Sequence, residues 1–512
     1  MIDLLFKYIN HKISSEMKIN FPRLLKLLLL ALVAVTGAAH AQQKQITLCW
    51  AAWDPANALV ELSKDFTSKT GIEMKYEFAP WPNFTERMTT TLTAKSKLCD
   101  LLIGDSQWIG MAATQGHYLK LNEFFEQSNI NINDFSPATV EGYATWPKNS
   151  ANYWAMPAMG DAVAWTYRKD WFARPEIKRD FKAKFGREIA PPKTWAELKE
   201  LGQFFQGREI DGKQVYGTAL YTERGSEGIT MGVTSAMYAN GVQYVNPQKP
   251  YDMQGYINSK SAAEALQAYK ELYDCCTPPG HSNAYMAENL DTYKSGQVAM
   301  QMNFMAFFPG IVKDPFVGGE KTGFFTNPRM STTGATLGGQ GISVVKYSEK
   351  QDLALAYLKW FSQPSIQQKW WDLGGFSCHN AVLGKPGFEN STPYAQVFLE
   401  SMKIVKDFWQ EPSYAALLVA MQKRVHHYVV EGQGTPQAAL DGLLSDWTSI
   451  FTTEGKLKTS HEASVTRLLP NSLNDNKQQM LFWVIPLGLL VFILTGLFWF
   501  FYIHTRSPAS EK

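Results

Sequence analysis

Residues 46–104 read ITLCWAAWDPANALVELSKDFTSKTGIEMKYEFAPWPNFTERMTTTLTAKSKLCDLLIG. The run 46–51 is apolar and short, with few turn formers, which predicts a buried strand. Asp54 and Pro55 then offer an N-cap and a proline at the first helical position. Leu59, Leu62 and Phe66 follow at helical spacing, and Gly71 closes that helix. In 72–78, IEMKYEF, apolar residues alternate with charged ones, the pattern of a strand with one solvated face. A helix over 84–97 leads to 100–104, DLLIG, a third buried strand. Strand, helix, strand, helix, strand implies an α/β fold: a parallel sheet with crossover helices.

Working outward, 191–197 (PPKTWAE) opens another helix. Thr194 is its N-cap and Glu197 stands three residues on, a capping box. Leu198, Leu201 and Phe205 carry the apolar face and Gly207 ends it. Helices are also predicted over 261–274, with Leu266, Tyr269 and Tyr273 on one side, and over 352–362 and 414–431. Gly338-Gly339-Gln340-Gly341 reads as a loop entering a strand at 342–345. No solenoid period or low-complexity tract occurs.

Both ends differ from this body. A short apolar run at 24–36 follows Lys18, Arg23 and Lys26 and precedes Ala39-His40-Ala41. That is the layout of a signal peptide over 1–41, cleaved before Gln42, with Met1 and Met17 both open as starts. Near the other end, 481–503 carries no charge. At about 1.5 Å per residue it reaches roughly 34 Å, enough to cross a bilayer. Trp483, Trp499 and Tyr502 sit near its ends, where interfacial aromatics belong. The expected layout is a body over 42–470, a polar linker over 471–480, a transmembrane helix over 481–503 and an inner tail over 504–512. Five cysteines in an exported chain leave at least one unpaired. Cys49, Cys99, Cys275, Cys276 and Cys378 match no zinc spacing and read as small buried residues with room for one disulfide.

Composition narrows the function. With 49 basic and 47 acidic residues the chain lacks the basic excess of a nucleic-acid binder. Gly318-Gly319-Glu320-Lys321-Thr322 lacks Walker A spacing, His461-Glu462 lacks the second zincin histidine, and Gly225-Ser226-Glu227-Gly228 is no nucleophile elbow. His426 and His427 are adjacent on a helix and point apart. No catalytic residues, metal or cofactor are therefore expected. What stands out is aromatic: Trp53, Trp81 and Trp108 each follow one of the first three strands. Ligands of parallel α/β sheets bind beyond the carboxyl ends of the strands. Indole faces with Asp105, Ser106 and Gln107 between them suit a sugar, whose C–H faces pack on rings and whose hydroxyls need paired partners.

Six motifs then resemble, in order, the extracellular solute-binding proteins of ABC importers, in their carbohydrate-binding, maltose-binding-like branch. They are DLLIGDSQW (100–108) with QGHYLKL (115–121); WAMP (154–157) with WTYRKDWF (165–172), where Arg168 replaces a usual Asn; PKTWAEL (192–198); YKSGQVAM (293–300); GGQG (338–341); and TPQAAL (435–440). The resemblance runs along most of 45–447. It implies a two-lobed periplasmic-binding-protein fold, type II-like, with an interlobe cleft and hinge. Lobe 1 would take about 42–160 and 305–350, and lobe 2 about 161–304 and 351–460. By segment it implies a ligand-binding set of Trp53, Trp81, Asp105, Gln107, Trp108, Asp161, Glu227, Phe304, Phe307, Gln340, Trp371 and Tyr414. The solute would be a sugar, a polyol or a glycerol phosphodiester, with Arg224 the nearby candidate for a phosphate.

The expected function is a membrane-anchored solute-binding protein in the inner membrane, its body facing the periplasm, delivering to ABC permease subunits. An anchored sensor signalling to a membrane partner shares the same cleft. A carbohydrate-active enzyme would need turnover that no motif here supplies.

Overall fold

The computed structural model describes residues 44–457. The expected signal peptide, linker, transmembrane helix and tail lie outside them. Among the described residues no helix is long and apolar enough to cross a membrane. The described residues divide into two compact units, one within 44–245 and 253–444, the other within 246–252 and 445–457. In the second, the Tyr251 and Phe451 rings lie 4.7 Å apart.

The N-terminal part of the first unit is the predicted alternation. Strand β1 (Gln45–Ala51) leads to α1 (Asp54–Thr70), β2 (Glu73–Ala79), α2 (Trp81–Thr93) and β3 (Leu101–Asp105). β1 pairs parallel with both β2 and β3. Asp54 was expected to cap α1. Instead Trp53 holds the N-cap position in extended backbone with no side-chain cap, and Asp54 lies in the first turn, where its charge favours the positive end of the helix dipole. Gly71 takes the left-handed C-cap at φ 69°, as its lack of a Cβ allows.

Strand β4 (Met156–Arg168) is the long connector. Beyond it come α3 (Trp195–Phe205), β5 (Arg208–Ile210), β6 (Lys213–Ala219), α4 (Gly228–Ala239), α5 (Lys260–Cys276), α6 (Met286–Lys294), β7 (Val298–Phe304), β8 (Thr322–Thr326) and β9 (Ala335–Val344). The sheet order is β2-β1-β3-β9-β4-β7-β6-β5. Residues 156–162 of β4 pair with β9, and residues 163–168 lie between β7 and β8. One strand thus belongs to both halves of the sheet. At α3, Thr194 Oγ1 accepts the Glu197 N–H at 3.1 Å, as predicted. The Glu197 carboxylate, however, accepts from the Lys193 N–H at 2.6 Å rather than closing the box on Thr194.

The structure departs from the sequence pattern in two places. Gly338-Gly339-Gln340-Gly341 is not a loop before a strand but the middle of β9, paired with β3 on one side and β4 on the other. Gly339 sits at φ +87°, and a Cβ there would lie 2.3 Å from the Met159 carbonyl oxygen. Only glycine lets these two backbones approach so closely. Second, α7 (Gln351–Phe361) and α8 (Pro364–Asp372) do not join the second lobe. Tyr357 packs on Phe66 of α1 at 5.0 Å and shares a 2.8 Å hydrogen bond with Ser63. Trp370 Nε1 donates to the Ala158 carbonyl at 2.9 Å, and its ring faces Trp50 of β1 at 6.4 Å. These large buried rings draw the helix pair onto the first half of the sheet. The chain returns through β10 (Val405–Lys406), which pairs with β9, to α9 (Tyr414–Val429), which packs on α4 and α5.

The cysteines form two bonds rather than one. Cys49–Cys99 ties β1 to the entry of β3, Cys275 is bonded to its neighbour Cys276, and Cys378 is free and buried.

Candidate functional site

A pocket of about 340 Å³ of open space lies beyond the carboxyl ends of β1, β2 and β3 and against the middle of β9. The sheet register builds its floor. Pairing of β3 with β9 sets Asp105 opposite Gln340. Pairing of β4 with β9 sets Asp161 opposite Gly338. Side chains from three strands that are distant in sequence are thereby brought within one small space.

One wall is aromatic. The Trp53 and Trp81 rings lie 5.1 Å apart, tilted by 40°. Phe307 meets the far side of Trp53 at 6.0 Å, and Phe84 backs Trp81 at 5.6 Å. Both indoles are half-buried, so each keeps exposed ring surface for a ligand. Such pairs contribute about 0.5–1.5 kcal/mol beyond their area, enough to hold the wall in place before anything binds.

The polar lining is mostly carboxyl. Asp105, Asp161 and Glu227 face the pocket. Burial pushes the Asp105 carboxyl up to about 7, against the opposing pull of the Ser106 amide and hydroxyl. Burial likewise raises Asp161 to about 8, although the N–H groups of Ala162 (2.7 Å) and Ala306 (3.2 Å) donate to it and favour its charge. Glu227, at the N-cap of α4, is held well above the carboxylate range by burial and then by repulsion from Asp105 and Asp407. Asp407 stands behind this group and is raised to about 8 by burial and by Asp105. It accepts from the Phe408 N–H at 2.8 Å and from Gln410 Nε2 at 3.1 Å.

Several buried polar atoms have no partner among the described residues. Gln340 Oε1 accepts from the Trp50 indole N–H, which fixes the amide and leaves Gln340 Nε2 unpaired. Gln107 Oε1 and Trp53 Nε1 are unpaired as well. An unmet buried hydrogen-bonding group costs about 1–3 kcal/mol. Three such groups in one pocket leave hydrogen-bonding capacity that the described side chains do not use.

Of the residues singled out in the sequence, Trp53, Trp81, Asp105, Gln107, Asp161, Glu227, Phe304 and Gln340 line this pocket. Phe307 stands beside them as the support of Trp53. Three others lie elsewhere. Trp108 is fully buried: the turn of residues 106–108 presents Gln107 to the pocket and sends the indole into the core, 5.1 Å from Phe84. The expected wall of three indoles is therefore a wall of two. Trp371 packs among Phe376, Phe388 and Phe398 and is a core residue. Tyr414 is buried off the lining, its hydroxyl unpaired and within electrostatic reach of Glu227 and Asp105. Arg224 is exposed and off the lining; with carboxyls in its place, the pocket does not suit a phosphate.

Met231, Met286, Leu337, Gly338 and Gly339 also line the pocket, and with Asp407 they were not anticipated. Met231 lies one helical turn after Glu227, which is the one signal that could have found it. Asp407 sits in Lys406-Asp407-Phe408-Trp409, where no spacing ties it to the strands it faces. Among the described residues no cluster of His, Cys, Asp and Glu has the geometry to hold a metal ion.

The profile of the family described as bacterial extracellular solute-binding protein matches residues 52–368. A putative binding protein of Brucella abortus (strain 2308) is 23% identical over 282 residues, which is 53% of this chain and 60% of that protein. The chain thus spans less than two thirds of that relative's length. Among solved structures, maltose-bound MalE3 of T. maritima superposes with a TM-score of 0.67 at 20% identity, covering 79% of this chain and 99% of that one. An ABC transporter solute-binding protein of Agrobacterium radiobacter K84, in complex with ribitol, gives 0.65 at 19%, covering 80% and 99%. These likenesses carry the fold, a two-lobed α/β architecture of the periplasmic-binding-protein kind.

Proposed function

The chain belongs to the bacterial extracellular solute-binding protein family, and from that premise we propose that its pocket captures a polyhydroxylated, carbohydrate-like solute for delivery to the membrane subunits of an ABC importer. The observation that carries this reading is the pairing of the Trp53–Trp81 wall with the unpaired polar atoms of Gln107 and Gln340. Ring faces accept the C–H surface of a pyranose or polyol chain, and the amides take its hydroxyls. Maltose and ribitol in the two structural neighbours belong to that class. The sharing of β4 between the two halves of the sheet supports a hinge there, with closure on the ligand. Every role named is one of binding; the reading includes no chemical step.

We read 481–503 as a membrane anchor on the strength of its uncharged sequence. Anchoring keeps the binding unit at high effective concentration beside its permease. Fractionation tests it: the full chain should pellet with membranes, and a chain ending at 476 should not.

The capture reading is tested by a thermal-shift screen of the full-length chain against sugars, polyols and glycerol phosphates. A ligand that binds only the folded state raises the melting temperature. A hit among sugars or polyols is expected. A hit confined to phosphates, or none at all, would overturn the reading.

A further inference from the structure

The pocket's charge is one-sided. Asp105, Asp161 and Glu227 line it and Asp407 stands directly behind, yet none of the lining residues is Lys, Arg or His. None of these four carboxyls forms an ion pair among the described residues. Asp407 feels Lys148 only at a distance, and Lys148 is itself paired with Glu141 at 2.9 Å. Repulsion runs between Asp105 and each of the other three, so they share one field. Buried carboxyls without a counter-charge are costly, and proteins ordinarily pair them.

The unpaired atoms point the same way. Gln107 is 2% exposed; among the described residues its Nε2 reaches only the Met231 sulfur, at 3.9 Å, and its Oε1 has no donor. An ammonium has three donors and no acceptor. Asp105, Glu227 and Gln107 Oε1 offer three acceptors, and the adjacent Trp53 and Trp81 faces attract a cation through their ring quadrupoles. Gln340 Nε2, a donor, is left for a hydroxyl.

We propose that the solute of this cleft carries a protonated amine beside its hydroxyl groups, an amino sugar or amino polyol, and that Asp105 and Glu227 receive the ammonium. This rests on the carbohydrate-like reading above and narrows it. A neutral sugar would leave the carboxyls protonated and the Gln107 acceptor unfilled; an ammonium lets Asp105 and Glu227 ionise against it and fills that acceptor in one event.

The test uses matched pairs on the full-length chain by isothermal titration at pH 7.5. The pairs are glucosamine against glucose, N-methylglucamine against sorbitol, and the β-1,4-linked glucosamine dimer against cellobiose. At least one amine should bind about tenfold or more tighter than its neutral partner, the scale of one desolvated charge-assisted contact. In Asp105→Asn and Glu227→Gln, which keep side-chain shape, that amine-to-neutral ratio should fall toward one, with circular dichroism confirming the fold. Neutral partners binding as well as the amines would overturn the inference and leave the sugar reading standing. An amine preference that survives in both variants would overturn the assignment to Asp105 and Glu227. Silence from every amine and every neutral partner would sink both readings together.

Discussion

Replacing Asp105 by Asn should make the protein more stable, and more so as the pH rises. The Asp105 carboxyl sits at about 7 in the folded chain against an ordinary 3.8, chiefly because it is buried. The sign follows from linkage. The folded state binds this proton more tightly than the unfolded chain does, so the group's contribution is most favourable below 3.8 and is lost as pH rises to about 7. Each unit is worth about 1.36 kcal/mol, so above the folded value the charged Asp105 costs roughly 4 kcal/mol. Asn keeps the shape and carries no such cost. Removing the charge also relieves Asp161, Glu227 and Asp407, each of which Asp105 repels. Opening of the cleft would hydrate the carboxyl and work in the other direction. The expected gain is about 2–4 kcal/mol at pH 8, about 1–2 at pH 5 and near zero below pH 4. Urea unfolding of wild type and Asp105→Asn at these three pH values reads it directly. A gain of equal size at every pH, or a loss at pH 8, would refute the argument that burial and mutual repulsion set this carboxyl.

Other substitutions separate the pocket from the core. Trp53→Ala and Trp81→Ala should each weaken solute binding by about 1–3 kcal/mol while the melting temperature falls little. Trp108→Ala should do the reverse, costing about 3–5 kcal/mol of stability, because its indole is fully buried; comparable binding losses in all three would restore the wall of three indoles. Gly339→Ala should destabilise severely, since the Cβ would lie 2.3 Å from the Met159 carbonyl oxygen and 2.4 Å from the Tyr143 hydroxyl at φ +87°. Gly71→Ala, with nothing within 4 Å, should cost only about 1 kcal/mol, and equal melting temperatures would contradict the close approach of β4 and β9. Replacing Cys49 and Cys99 together by Ser opens a closure of 50 residues, worth about 4 kcal/mol in the chain-entropy account; an unchanged denaturation midpoint would show that the bond does not constrain the unfolded chain.

The sequence revealed most where periodicity is strict. The alternation of 72–78 and the apolar runs around it announced β1, β2 and β3, because a strand buried on one face must alternate. It also placed Trp53, Trp81 and Gln107 at strand ends. It could not tell which of two neighbours turns inward: one short turn gives Gln107 to the pocket and Trp108 to the core. Helical spacing showed that α7 exists but neither the α8 that follows it nor which half of the sheet the two cover, since that depends on which buried rings fit together. Asp407 and the β9 glycines were hidden for a different reason. Their role arises from pairings across hundreds of residues, and no local pattern records them.

The proposed capture places a solute against Trp53 and Trp81 between the two halves of the sheet. The most direct measurement is isothermal titration of the strongest ligand from the thermal-shift screen into wild type and into Trp53→Ala/Trp81→Ala. Loss of both ring faces should weaken binding by about a hundredfold or more, with the fold retained. An unchanged Kd in the double variant would place the solute elsewhere and contradict the claim.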